Sequence, residues 1–382
     1  MKKMLIVFGT RPEAIKLCPL ILEFKKYPEK FKTVVCVTAQ HREMLDQVLE
    51  IFSITPDYDL NLMTHNQSLA DLTARCISEM DGVIKKVNPD MLIVQGDTTT
   101  TFSATLAAYY SKVKIGHVEA GLRTYNKYSP FPEEINRRLS TVISDLHFAP
   151  TQTNKNNLII ENIPEKNIIV TGNTVIDALF WVRNNINREN KKYNVFKDID
   201  FSKKIILVTG HRRENFGEGF QNICAALKKI AKNNSNVEIV YPVHLNPNVQ
   251  KPVNQILAGI SNVKLIDPLE YEPFVYLMDK SYFIISDSGG IQEEAPSLGR
   301  PVLVTRNTTE RPEAVEAGAI KLVGLDKEDI FNAANTLLNE SSVYEEMANT
   351  KNPYGDGDAC KQIIQGLLKF LSECSCRDNL NS

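Results

Sequence analysis

The sequence predicts an α/β protein with two doubly wound parallel sheets, one in each half of a 382-residue chain. Short apolar runs alternate with segments of helical period, the pattern of strands joined by crossover helices. A polar, charged stretch at 188–202, expected as an exposed connector, is followed by a fresh strand at Lys204, where the series starts again. The tetrapeptide Arg11-Pro12-Glu13-Ala14 recurs as Arg311-Pro312-Glu313-Ala314, one copy per half, as two similar domains facing across a cleft would have. The expected division is 1–175 for the first domain, 176–357 for the second, a helix over 358–373 that packs back on the first, and a tail over 374–382.

The first half opens with an apolar strand, Met4 to Phe8. Gly9 turns it, and Thr10 with Glu13 three residues on makes a capping box for the next helix. Pro12 is tolerated in that first turn, whereas Pro19 predicts a kink or an early end. Arg11 and Lys16 then lie near a helix N-terminus at the carboxyl edge of a strand, where open α/β sheets bind ligands. Further strands are expected at Thr33–Thr38, Met91–Gln95, Lys114–Val118, Leu146–Ala149 and Asn167–Val170, with helices at His41–Phe52 and Leu69–Val87, from Thr98 to Ser111, and from Glu133 onward. Gly172-Asn173-Thr174 caps one more helix. Asp97 and Glu119 end successive strands, and Glu133 follows Pro130-Phe131-Pro132. Singly, Asp97 could cap a helix and Glu133 could complement a dipole. Three carboxylates on one sheet edge with Arg11 and Lys16 point instead to a site.

In the second half, Lys204–Thr209 leads into Gly210-His211-Arg212-Arg213, a histidine between a glycine and two arginines at a strand end, which favours anion contact. Strands follow at Val237–Tyr241, Val263–Ile266, Tyr282–Ile285 and Pro301–Thr305. After the third of these comes Ser286-Asp287-Ser288-Gly289-Gly290, then a helix from Ile291 to Leu298 with Glu293 and Glu294 in its first turn. Strand, Ser/Gly turn and helix leave backbone N–H groups aimed at an anion, and the glycines allow close approach. A glutamate there would repel a bare phosphate but could accept from sugar hydroxyls, so a nucleoside diphosphate with its ribose fits better. A plain capped helix is the alternative. Asn352 to Gly357 is a turn, Ala359 to Leu371 a helix, and the residues past Cys374 read as disordered.

A net charge of −2 without a dense basic block excludes general nucleic-acid binding. No apolar run approaches the ~18 residues that span a bilayer. Thr10-Arg11-Pro12-Glu13 interrupts the N-terminal apolar stretch too early for a signal peptide. Five cysteines are scattered singly through apolar segments, and Cys374 and Cys376 lie in a polar stretch. A cytoplasmic protein is expected. Hydride-transfer and Walker-type glycine motifs are absent, as is zinc-ligand spacing. The residues alone lead to an enzyme acting on a nucleotide sugar.

The blocks GTRPEAIK at 9–16, QGDTTTTF at 95–102, GHVEAGLRT at 116–124, PEEINRR at 132–138, GNTVIDAL at 172–179, GHRREN at 210–215, DSGGIQEEAPSLGRPVLV at 287–304, TTERPEA at 308–314 and NPYGDG at 352–357 resemble, in order, the bacterial non-hydrolysing UDP-N-acetylglucosamine 2-epimerases. The resemblance implies two Rossmann-like domains of the glycosyltransferase-B type and reversible conversion of UDP-GlcNAc to UDP-ManNAc. It implies elimination of UDP to 2-acetamidoglucal and re-addition, without metal or redox cofactor. Asp97, Glu119 and Glu133 become the acid/base candidates, and His211 supports the departing phosphate. Arg11 and Lys16 match phosphate-contacting positions, and Arg212 is a further substrate-binding position. Ser288, Gly289 and Gly290 match the diphosphate turn, Glu294 the ribose contact, Phe274 a uracil-packing position and Arg311 another substrate contact. A homodimer and a role in cell-surface polysaccharide synthesis are implied too. A glycosyltransferase of the same fold and a hydrolysing epimerase releasing ManNAc are the alternatives.

Bacterial members can be activated by UDP-GlcNAc at a second site, and Gln40-His41-Arg42-Glu43 matches part of that region. Glu43 stands where a second glutamine is expected, and Asn66 where an arginine is expected. Added negative charge and one cation fewer should weaken a second diphosphate. Initial rates against UDP-GlcNAc concentration should therefore be close to hyperbolic. A strongly sigmoidal curve that Gln40→Ala abolishes would refute this.

Overall fold

Two separate parallel sheets form, one per half of the chain. The computed structural model describes residues 1–38, 42–63 and 67–378. In chain order the first half runs β1 (Lys2–Phe8), α1 (Arg11–Phe24), β2 (Phe31–Val37), α2 (Arg42–Ile51), β3 (Tyr58–Asp59), α3 (Leu69–Val87), β4 (Met91–Gln95), α4 (Thr99–Tyr110), β5 (Lys114–Val118), α5 (Glu133–Ile143), β6 (Leu146–Ala149), α6 (Gln152–Ile160), β7 (Ile168–Val170) and α7 (Thr174–Glu189). Its strands are ordered β3-β2-β1-β4-β5-β6-β7. The second half runs β8 (Lys204–Thr209), α8 (Glu218–Asn233), β9 (Val237–Pro242), α9 (Pro247–Leu257), β10 (Val263–Ile266), α10 (Tyr271–Lys280), β11 (Phe283–Ser286), α11 (Gly289–Glu294), β12 (Val302–Val304), α12 (Pro312–Glu316), β13 (Ile320–Leu322), α13 (Lys327–Asn339) and α14 (Ser341–Ala348), before α15 (Ala359–Asp378). Its order is β10-β9-β8-β11-β12-β13.

Helices on both faces leave the central strands no solvent side, so these read as unbroken apolar runs rather than alternating ones. Met4 to Phe8 are all fully buried. In the first sheet, Leu5, Val7, Leu92 and Val94 pack against Met80, Ile84 and Ala104 of the helices. In the second, Ile206, Val208, Ile239 and Ile285 pack against Phe220, Leu227 and Ile330. Each of these Val, Leu, Ile, Met or Phe side chains contributes about 1.5–3 kcal/mol through burial.

The chain divides into two compact units, Met1–Phe180 with Tyr354–Ser382 and Trp181–Pro353. The first crossing falls inside α7, between Phe180 and Trp181. The polar stretch that follows is not a bare exposed connector. Phe196 is buried and stacks on Tyr276, 5.5 Å between centroids, and Tyr193 donates to Glu272 at 2.8 Å. After the return crossing, α15 packs on α1 and buries Ile363, Ile364 and Leu367. Asp177 of α7 caps α15 by accepting the Cys360 N–H at 2.9 Å. Gly357 has φ +89°, and a Cβ there would lie 2.5 Å from Phe180.

Several expectations are corrected. Helix α1 does not end at Pro19 but continues to Phe24, because the burial of both residues and their neighbours outweighs the one lost N–H. Helix α11 begins at Gly289 and gives way to a 3₁₀ turn over Ala295–Leu298, so Glu293 and Glu294 close it rather than open it. The stretch expected as a frayed tail is helical through Asp378. Strands β3 and β13 were too short to show a period, and both lie at sheet edges. The run Gln152–Ile160 has few apolar residues, and its helix is set by the Thr151 cap, whose hydroxyl accepts from the Asn154 N–H at 3.2 Å. Among the described residues no helix is long and apolar enough to cross a membrane.

Candidate active site

In the first sheet the chain moves outward from β1 to β2 and β3, then returns to place β4 on the other side of β1. Their carboxyl ends therefore diverge at a switch point, where such sheets open a crevice. Gly9 ends β1, and no side chain fits there: a Cβ would lie 2.0 Å from the Thr38 hydroxyl. Glu13 is buried beneath the turn. Its Oε2 accepts the Gly9 N–H at 3.0 Å, the Thr10 N–H at 2.8 Å and the Thr10 hydroxyl at 2.8 Å. Its Oε1 accepts from Thr98 at 2.7 Å and Thr101 at 3.2 Å, across on the β4–α4 turn. Burial raises its pKa, opposed by these same hydrogen bonds. The capping box is thus also a tie between two strands.

Asp97 and Glu119 leave adjacent strands β4 and β5 on this edge. Glu119 has φ +62°, left-handed backbone that costs energy for any residue but glycine. Lys16 and Gln95 donate to its two oxygens, and Asn173 adds a bond at 3.1 Å. Asp97 is held by Arg137, whose Nε donates at 3.0 Å, while Asn136 donates to the Asp97 carbonyl at 3.0 Å. These two donors belong to α5, so Glu133 in its first turn is carried by the same element. Glu133 Oε2 is buried and has no hydrogen-bond partner among the described residues. The neighbouring Glu134 is fully buried and accepts the Thr124 N–H at 3.0 Å, a structural use. Arg11 begins α1, partly exposed, with no ion pair among the described residues.

Under this edge, His117 and His147 are register partners on β5 and β6. His117 Nε2 donates to the Gly96 carbonyl at 2.7 Å. Burial pushes its pKa down to about 4, opposed by that hydrogen bond and helped by Arg123 and Arg137. Burial likewise pushes His147 down to about 3, with His117 nearby adding to it.

The second sheet repeats the arrangement, with its switch point between β8 and β11. Asp287 is fully buried and accepts the His211 N–H at 3.0 Å, the Arg212 N–H at 2.9 Å and the Asn215 amide at 3.1 Å. Its own carbonyl accepts from Arg212 Nε at 3.1 Å. His211 is half-exposed and stacks on His244, 5.7 Å between centroids. Burial lowers its pKa, while Asp287 pulls the other way.

Ser288 precedes α11, and the first N–H groups of that helix lack intrahelical acceptors. Arg311 lies against Gly289, where a Cβ would meet its Cζ at 3.3 Å. Glu293 fixes Arg311 with bonds of 2.8 and 2.7 Å. Gly290 faces Glu294, whose Oε1 accepts from the Tyr271 hydroxyl at 2.9 Å. Phe274 lies in the same turn of α10 as Tyr271, half-buried. Glu43 is exposed on α2, while Gln40 and Asn66 lie outside the described residues. No three or more His, Cys, Asp or Glu among the described residues are grouped so as to hold a metal ion.

Each unit thus presents a switch-point edge on which a buried carboxylate shapes the turn. Gln95, Asn173, Arg137 and Asp287 were not picked out from sequence, although all lie inside or beside the quoted blocks. Their use becomes visible only when distant segments meet.

A family model described as UDP-N-acetylglucosamine 2-epimerase matches residues 23–368. A relative of that name from Campylobacter jejuni is 57% identical over 378 residues, covering 96% of this chain and 98% of its own. Its namesake from Escherichia coli K12 is 54% identical over 369 residues, covering 96% and 98%. The crystal structure of the UDP-GlcNAc 2-epimerase from Neisseria meningitidis bound to UDP-GlcNAc is similar at a TM-score of 0.88 and 55% identity, covering 96% of this chain and all of that one.

His117 and His147 set an acid limit on the fold. Unfolded, each takes a proton near its ordinary value of about 6.5. Folded, each stays neutral down to about 4 and about 3. Between those values the unfolded chain binds more protons, so stability falls as pH drops below about 6.5, by up to ~1.4 kcal/mol per pH unit per histidine. Urea melts at about pH 7 and about pH 5 should show this loss, and His147→Phe should make it smaller. An unchanged slope in that variant would exclude the effect.

Proposed function

The chain belongs to the UDP-N-acetylglucosamine 2-epimerase family, and on that footing we propose that it interconverts UDP-GlcNAc and UDP-ManNAc without net hydrolysis. The observation that carries the proposal is the acidic edge of the first unit. Asp97 and Glu119 are held by named donors, and Glu133 keeps a buried oxygen with no partner among the described residues. A buried acceptor without a partner weakens a fold, which makes sense where a substrate group supplies the partner.

The C2 proton of the sugar has no carbonyl beside it, so direct removal is slow. In the proposed route a carboxylate takes that proton, the C2–H electron pair forms a C1–C2 double bond, and the C1–O bond breaks to release UDP. The intermediate is 2-acetamidoglucal. An acid on the opposite face then returns a proton to C2 as a UDP oxygen re-forms the bond to C1. Asp97, Glu119 and Glu133 are the acid and base groups. Such proton transfers contribute about 10²–10⁴-fold each. Arg11, Lys16, Arg212, Arg311 and His211 bear the charge on the departing diphosphate, with the Ser288-Gly289-Gly290 turn. Glu294 accepts from the ribose, and Phe274 packs on uracil. The reaction runs in the cytoplasm and supplies ManNAc for cell-surface polysaccharide.

Proton NMR with UDP-GlcNAc in deuterated water, with no acceptor or metal added, tests this. UDP-ManNAc should appear with deuterium at C2. Asp97→Asn, Glu119→Gln and Glu133→Gln should each slow the reaction by about 10²–10⁴-fold. Neither product nor exchange would refute the proposal, and free ManNAc would redirect it to a hydrolysing enzyme.

We further propose a homodimer. Ile135, Leu139 and Val142 form an exposed apolar stripe along one face of α5. Light scattering should give twice the chain mass, and Leu139→Glu with Val142→Glu should reduce it to the monomer. A monomeric native protein would refute this.

A further inference from the structure

We infer that His117 is a positioning residue for the proposed epimerisation: its imidazole holds the Gly96 carbonyl and thereby fixes the turn that presents Asp97. The inference rests on the epimerase reading for its catalytic consequence, but not for its geometry. Gly96 takes a left-handed turn, φ +72°, between β4 and Asp97. A glycine there is free to pivot, so something else must set the direction of its peptide. Two bonds to β5 do so: the Gly96 N–H donates to the Val118 carbonyl at 3.0 Å, and the Gly96 carbonyl accepts from His117 Nε2 at 2.7 Å. The next carbonyl, that of Asp97, is held by Asn136, and the Asp97 carboxylate by Arg137. His117 is the only side chain recorded on the Gly96 carbonyl among the described residues.

The chemistry of the imidazole fits one task. A carbonyl only accepts, so Nε2 carries the proton. Nδ1 is then a buried acceptor, and it has no partner among the described residues. An orphaned acceptor in the interior weakens the fold, so packing alone would favour an apolar side chain here. What the imidazole supplies is the one side-chain donor on the Gly96 carbonyl among the described residues. His117 also lies in β5, two residues before Glu119, which follows the strand's last residue. One rigid strand therefore sets both carboxylates, Glu119 through the chain and Asp97 through the imidazole.

Three variants test this. In His117→Gln the side-chain amide can reach the place of Nε2, in His117→Asn it reaches only that of Nδ1, and His117→Leu removes the donor. Leu and Asn should lower kcat by about 10- to 100-fold, because a misplaced group costs that much. KM should stay within about twofold, since the UDP contacts are elsewhere, and Gln should restore kcat to within about threefold of wild type. Wild-type kcat in His117→Leu would overturn the inference. So would a Gln variant as slow as Leu, or kcat and thermal stability falling in parallel through all three. A crystal structure of His117→Leu reads the geometry without turnover. A rotated Gly96 carbonyl is expected, and an unmoved Gly96–Asp97 turn would overturn the inference whether or not the native protein epimerises UDP-GlcNAc.

Discussion

Glu13 and Asp287 lie buried at the carboxyl edges of the two sheets, and their oxygens accept backbone N–H groups from the turn that ends a central strand. Each also reaches the neighbouring strand's side of the switch point, Glu13 through the hydroxyls of Thr98 and Thr101, Asp287 by its own place after β11. A carboxylate taken out of water is tolerable only when its lone pairs are filled. Here backbone N–H groups and neighbouring side-chain donors fill them together. The bonds thus run both ways: the turns keep the buried oxygens satisfied, and the oxygens keep the turns tight. Replacing either acid by an apolar residue would orphan several N–H groups together, which costs more than losing one contact.

Above these carboxylates the edge charges are already matched within each unit. Lys16 meets Glu119, Arg137 meets Asp97, and Arg311 meets Glu293. Glu310 links Arg212, Arg306 and Arg311. The pairs are half-buried or deeper in most cases, so they are screened less than surface pairs. They fix long side chains before any ligand arrives, and that lowers the ordering cost of binding. A ligand reaching either edge meets cations whose geometry is set and whose charge is partly offset.

Much of the architecture was legible because apolar runs and turn residues carry it. The central strands β1, β4, β8 and β11 stand out as apolar segments, and Thr10 with Glu13 marks the start of α1. What was hidden depends on partners far away in sequence. Asp287 looked like one more polar residue in a turn, since its acceptor role needs β8 beside β11. Arg137 was visible only as a charge on a helix until Asp97 was found at its tip. Pro19 misled because local propensity weighs one missing hydrogen bond, whereas the surrounding burial decides. Edge strands β3 and β13 carry two and three residues, too few for any period to register.

The first unit is interrupted: residues 1–180 need α15, which comes after the whole of 181–353. During synthesis the ribosome releases β1 to β7 long before their last helix exists. The second unit is continuous and can close its core while the first still exposes the α1 surface that Ile363, Ile364 and Leu367 will cover. The enclosing unit therefore completes its core only with a segment made after the whole of the nested one. Until then the unfinished face of the first unit is an apolar surface open to chaperones and to other nascent chains.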